Sequence, residues 1–192
     1  MKKFIGFFII SSALFFLKAN AQIQRGNFLI GGDIANFNFT LGGGGAFQAR
    51  VDPKLAFFIK DNLAIGAFID FGLATAKGAG TTTNYGAGAL GRYYIGDPTI
   101  DVLKKSRLFF EGNVGIQGIS LSDGSNTTGL GLEIGPGCAY FITNNIALET
   151  LLKYNGIVGF GSEPYNSNLN LGIGFQIYLP GRRIRTAVNE VK

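Results

Sequence analysis

Histidine and tryptophan are absent from the 192 residues, and cysteine and methionine occur once each. Without histidine, no Ser–His or Cys–His nucleophile can be assembled and no Cys/His metal cluster exists. The single cysteine, Cys138, excludes an intramolecular disulfide and reads as a small apolar side chain. Charged residues make up only 15% of the chain, and no apolar run beyond the first twenty or so residues is long enough for a membrane helix. The glycines at 42–45 are followed by no Gly-Lys-Ser/Thr, so they form no phosphate loop and read as a hairpin tip. The carboxylates Glu111, Glu133 and Glu149 recur at strand spacing, so structural pairing accounts for them better than acid/base catalysis. The chain is read as non-enzymatic, and no cofactor is expected.

What the chain has in quantity is glycine (30), phenylalanine (18) and a positive mean hydropathy of +0.25. The start is distinctive. Lys2 and Lys3 precede an apolar run at 4–17, and Ala19-Asn20-Ala21 follows with small residues at signal-peptidase spacing. Residues 1–21 are therefore read as a cleaved signal peptide for Sec-type export. Lys2, Lys3 and Lys18 leave with it. The remaining chain is only mildly basic, and its basicity implies no nucleic-acid partner. High hydropathy without membrane helices, behind a signal peptide, points to a membrane β-barrel at 22–180.

The strands are written in period two. At 168–179, Leu169, Leu171, Ile173, Phe175, Ile177 and Leu179 share one face, and Asn168, Asn170, Gly172, Gly174, Gln176 and Tyr178 the other. Seven further segments alternate in the same way, around Phe28–Ile34, Phe47–Asp52, 63–75, Tyr85–Ile95, Leu108–Ile116, Thr128–Tyr140 and Ile146–Val158. Eight is an even number, as a closed antiparallel bacterial barrel requires. Pro53 and Pro136 fall inside two segments, where the sequence predicts a bulge or a strand end. Short polar turns at 60–62 and 143–145 and a longer piece at 96–106 lie on one side. Gly- and Thr/Ser/Asn-rich connections at 42–45, 77–83, 122–127 and 161–167 lie on the other. With both termini periplasmic, the second set faces outward. Aromatic pairs at Phe57-Phe58, Tyr93-Tyr94, Phe109-Phe110 and Tyr140-Phe141, with Tyr178, then gather at the periplasmic rim as an interfacial girdle.

The face opposite the apolar one carries Asp33, Arg50, Asp70, Arg92, Glu111, Glu133, Glu149 and Lys153, with Gln48, Asn113, Gln117, Asn155, Asn170 and Gln176. An eight-stranded barrel has room inside for side chains only. Enclosed charges must pair, so these residues are expected to form a salt-bridge network that fills the lumen. Two other readings stand beside it: a narrow path for water or small ions, and a secreted soluble carrier of lipocalin type. The direction in which the charged residues point separates the last from the first two.

With its signal sequence, eight alternating segments and terminal strand, the chain resembles the small outer-membrane barrels of the OmpA/OmpX-like superfamily. The segments at 57–66 (Phe-Phe-Ile-Lys-Asp-Asn-Leu-Ala-Ile-Gly) and 140–149 (Tyr-Phe-Ile-Thr-Asn-Asn-Ile-Ala-Leu-Glu) resemble a turn of the Bacteroidetes branch of that group. The resemblance implies a closed eight-stranded antiparallel transmembrane barrel in the bacterial outer membrane, porin-like in architecture, with outer-membrane lipids as its surroundings. It also implies a last-strand signal, here Asn170, Gly172, Phe175 and Ile177, read by the barrel assembly machinery. Members often end at that strand, whereas this chain continues. Residues 181–192, with Arg182, Arg183 and Arg185, are expected to be a basic periplasmic tail that contacts anionic headgroups or another envelope protein.

Overall fold

The computed structural model describes residues 23–39, 46–76, 78, 80–95, 105–122, 124, 126–160 and 166–181. Residues 1–22, which include the expected signal peptide at 1–21, residues 182–192 of the expected 181–192 tail, and most of the connecting loops lie outside the described residues. Eight strands follow in order: β1 (Phe28–Phe39), β2 (Ala46–Lys60), β3 (Leu63–Ala76), β4 (Gly80–Ile95), β5 (Ser106–Leu121), β6 (Asn126–Phe141), β7 (Ile146–Gly159) and β8 (Asn166–Leu179). Each pairs antiparallel with the next, and β8 returns to β1, giving a closed barrel. At the seam, Phe28 faces Leu179 and Ala35 faces Gly172. Over Phe28–Ala35 and Gly172–Leu179 the seam pairs the two edges of the sheet.

Alternation becomes an inside and an outside. On β6, Leu130, Leu132 and Ile134 are exposed while Gly129, Gly131, Glu133 and Gly135 are buried. On β8, Leu169, Leu171 and Ile173 are each more than 60% exposed, and Gln176 between its apolar neighbours is fully buried. The outer surface is thus aliphatic and aromatic, and the interior holds the polar side chains. That is the reverse of a water-soluble barrel.

Neither proline behaves as the sequence predicts. β2 runs unbroken through Pro53, which lies opposite Gly32 of β1, and β6 runs through Pro136, opposite Phe110 of β5. On the other side of each proline the ladder contact lapses locally but the register does not slip. Val51 pairs Phe71 and Lys54 pairs Phe68 in the same register, as do Ile134–Tyr154 and Gly137–Leu151. A strand residue directs its N–H to one neighbour only, so a missing donor costs one side of the ladder and leaves the other intact. The register shifts occur elsewhere, between Ala35 and Asn38 and between Phe58 and Lys60.

The end where residues 23–27 and 180–181 lie is closed from within. The β2–β3 turn places Asn62 at φ 66°, a left-handed conformation that asparagine tolerates. Residues before β1 extend the sheet under this turn: Gly26 N donates to Phe58 O, and Asn62 N donates to Ile23 O. Ile23 packs on a buried group of Leu29, Phe58, Tyr94, Phe109 and Tyr178, with Phe141 beside it. The rings lie 5.0–6.3 Å apart between centroids. This corrects the girdle expected from sequence. Adjacent strand residues face opposite ways, so one member of each pair (Phe57, Tyr93, Phe110, Tyr140) is exposed, while Phe58, Tyr94 and Phe109 turn inward as an aromatic floor.

Candidate functional site

Ten charged side chains are buried in the lumen: the carboxylates Asp33, Asp52, Asp70, Glu111, Glu133 and Glu149, and the cations Arg50, Lys54, Arg92 and Lys153. The eight expected from sequence are all among them. Two were not expected. Asp52 shares the parity of Arg50, and Lys54 lies beyond Pro53, where the sequence predicts a bulge or a strand end. The alternation Arg50, Asp52, Lys54 was the signal for both. Gln48 was placed inside and is exposed near the rim away from the termini.

The ions form two groups. The lower one, above the aromatic floor, is an alternating chain. Lys54 Nζ meets Asp33 Oδ2 at 2.5 Å and Glu111 Oε1 at 3.0 Å. Arg92 meets Glu111 Oε2 at 2.5 Å through Nη2 and Glu149 Oε2 at 2.8 Å through Nη1. The Arg92 guanidinium also lies over the Phe109 ring at 4.1 Å, an arrangement that favours a cation on an aromatic face. Gln176 Nε2 donates to Asp33.

The upper group is a ring with one appendage. Arg50 Nε meets Asp52 at 3.0 Å, and its Nη2 meets Glu133 at 2.6 Å. Lys153 closes the ring on Asp52 at 3.1 Å and Glu133 at 2.8 Å. Asp70 hangs on Arg50 Nη2 at 2.7 Å. Asn113, Gln117 and Asn155 donate to Glu133. Gln117 crosses to Glu133 over Gly131, where a Cβ would occupy the amide's space. Gly174 leaves equivalent room for the Asp33 carboxylate. Among the described residues, no ion pair joins the two groups.

Four of these contacts join strands that are not neighbours, Arg50–Glu133, Lys54–Glu111, Arg92–Glu149 and Lys153–Asp52, and so brace the barrel across the lumen, while the others lie along one strand or link adjacent strands of its wall. Removing one member of such a buried set strands its partners, at a cost of about 3–5 kcal/mol. Among the described residues, no group of three or more His, Cys, Asp or Glu side chains is arranged to hold a metal ion, and no helix is long and apolar enough to cross a membrane. The four last-strand residues fall on two faces: Asn170 and Gly172 inward, Phe175 and Ile177 toward the outside.

Sheet closure, an apolar exterior and an ionic interior define an eight-stranded antiparallel barrel of the outer-membrane type. No family model and no curated protein matches the sequence. Solved structures match the fold at low identity. Neisserial surface protein A shares 18% identity over 79% of this chain and 96% of its own, with a TM-score of 0.54. The N-terminal β-barrel domain of Pseudomonas aeruginosa OprF shares 13% over 81% of this chain and 98% of its own, with a TM-score of 0.54. The outer membrane protein OprG from the same organism shares 13% over 83% and 98%, with a TM-score of 0.51.

Proposed function

We propose that the chain is an integral protein of the bacterial outer membrane with a structural or interaction role and a lumen plugged by its own side chains. The observation that carries the reading is the inverted distribution of polarity. Ile69, Leu132, Leu171 and Ile173 are more than half exposed, while ten ions are enclosed. In water the arrangement is unfavourable on both counts; in a bilayer the outer band is solvated by lipid and the ions pair inside. It also argues against the soluble carrier, whose apolar side chains would face inward.

The ion network and the aromatic floor beneath it favour a closed lumen over a water or ion path. Planar-bilayer recordings that show no unitary conductance fit this reading, and steady single-channel currents overturn the plug. The location is tested by fractionation. Release only by detergent, with a heat-dependent shift in gel mobility, is expected; recovery as a soluble periplasmic protein sinks the proposal.

Several finer points belong to the same reading: export by a Sec-type route with cleavage after Ala21, recognition of Asn170, Gly172, Phe175 and Ile177 by the assembly machinery, and contact of the 181–192 tail with headgroups or an envelope partner. The two similar turn sequences at 57–66 and 140–149 support a Bacteroidetes-type affiliation.

A further inference from the structure

The upper ion group holds three carboxylates and two cations, and the shortage falls on one residue. Asp52 meets both Arg50 and Lys153, and Glu133 meets the same two cations. Asp70 meets Arg50 alone, through an Nη2 that also serves Glu133. Its second oxygen, Oδ1, is buried and has no hydrogen-bond partner. The lower group also has three carboxylates to two cations, but its third, Glu149, receives Arg92 on both oxygens and the Tyr178 hydroxyl as well. Asp70 has no such donor.

Register places the problem side by side with its answer. The pairs Val51–Phe71 and Lys54–Phe68 set Asp52 directly opposite Asp70 on β2 and β3. Both point inward, with exposures of 2% and 4%. Opposed residues on neighbouring antiparallel strands have Cβ atoms about 5 Å apart, and like charges there repel. One guanidinium grips both carboxylates, Asp52 through Nε and Asp70 through Nη2. Two carboxylates held together away from bulk water, with fewer cations than anions beside them, cannot both ionise freely, and sharing a proton relieves them.

We propose that Asp52 and Asp70 form a proton-binding pair in which Asp70 carries the proton on Oδ1 and donates it toward Asp52. The proton comes from hydronium in the surrounding water, whose O–H bond breaks to leave a water molecule, and no other covalent bond changes. Asp70 becomes neutral, its unpartnered acceptor becomes a donor, and the ring keeps two anions for two cations. The charged groups around the pair are Arg50 from β2, Glu133 from β6 and Lys153 from β7; Gln117 from β5 meets Asp70 at Gly86, and Asn84 from β4 lies beside Arg50. Directly opposite Asp70, β4 presents Gly86. Loss of the proton at alkaline pH restores the repulsion and loosens the β2–β3 contact at Pro53, where the ladder already lapses. The inference concerns the lumen alone and does not depend on where the barrel resides.

Infrared spectroscopy of the detergent-folded full chain, with aspartate carrying 13C in the side-chain carboxyl, tests this. A protonated-carboxyl band that shifts with the label is expected at neutral pH, disappearing as the pH is raised and absent from Asp70→Asn. Its absence from the wild-type protein at neutral pH overturns the proposal, and so does its survival in Asp70→Asn. Thermal unfolding is the second arm. An amide imitates a neutral acid, so Asp70→Asn keeps the midpoint within about 3 °C of wild type, while Asp52→Asn, which removes the ionised partner of Arg50 and Lys153, lowers it further. An Asp70→Asn loss as large as that of Asp52→Asn overturns the assignment. Should a variant fail to fold, absence of the band from the wild-type spectrum still overturns the proposal.

Discussion

The hydroxyls of Tyr94 and Tyr178 meet at 2.7 Å and close a ring with two ions. Arg92 Nη1 donates to the Tyr94 oxygen, and the Tyr178 hydroxyl donates to Glu149 Oε1. The Tyr178 proton is therefore committed, so Tyr94 donates to Tyr178. Arg92 and Glu149 are joined twice, once directly and once through two phenols. The aromatic floor and the ion chain are in this way a single structure.

Tyr178→Phe removes the phenol that donates to Glu149 and leaves the Tyr94 proton without an acceptor. Hydrogen bonds to a buried charge contribute about 1.5–3 kcal/mol, and the variant is expected to lose that much stability in urea titrations of the detergent-folded protein. Tyr94→Phe is expected to cost less. The double variant should fall short of the sum, because both phenols serve one path.

Lys54→Met leaves Asp33 and Glu111 facing each other through the lumen. The expected loss is about 3–5 kcal/mol, read as a lower temperature for the mobility shift on gels. Adding Asp33→Asn should recover part of it. An unchanged transition would show that the network is not what stiffens the barrel.

Two glycines at the wall separate space from backbone. Gly131 supports Gln117, and a Cβ there displaces the amide; Gly91 faces outward with nothing within 4 Å. Gly131→Ala is expected to destabilise by about 1–3 kcal/mol. Gly91→Ala should stay within about 0.5 kcal/mol. Equal effects at both sites would refute the packing account.

Ile69, 60% exposed, lies on the outer belt. Ile69→Arg is expected to cost about 2–4 kcal/mol of folding stability in lipid vesicles if that belt sits near the bilayer midplane. The same change on a water-facing surface is nearly neutral, so a silent variant would place this face outside the hydrocarbon.

Much of this architecture was legible in the sequence, because alternation reports which face a residue takes without reference to any partner. Eight segments and the shared face from Asp33 to Lys153 follow from parity; closure follows from the even number of segments together with high hydropathy and no membrane helix. Lys54 escaped because proline was weighed as a chain break rather than as one lost donor. The inward turn of Tyr94, which shares parity with Arg92, was hidden by treating adjacent aromatics as one feature. The ion partners were not legible at all. Arg50 reaches Glu133 across 83 positions and Lys153 reaches Asp52 across 101, and such meetings depend on the stagger of the closed sheet.

The seam between β1 and β8 has a consequence for how the molecule is built. Gln176 and Tyr178, on the last strand, supply donors to Asp33 and Glu149. The first of these contacts spans 143 positions. Until β8 docks, both carboxylates lack donors that the finished barrel provides, and on the proposed membrane location a sheet stalled one strand short would carry under-satisfied acid into lipid. The same residues that lock the completed barrel therefore penalise an incomplete one, and under the proposed location closure is the step that would make entry into the membrane favourable.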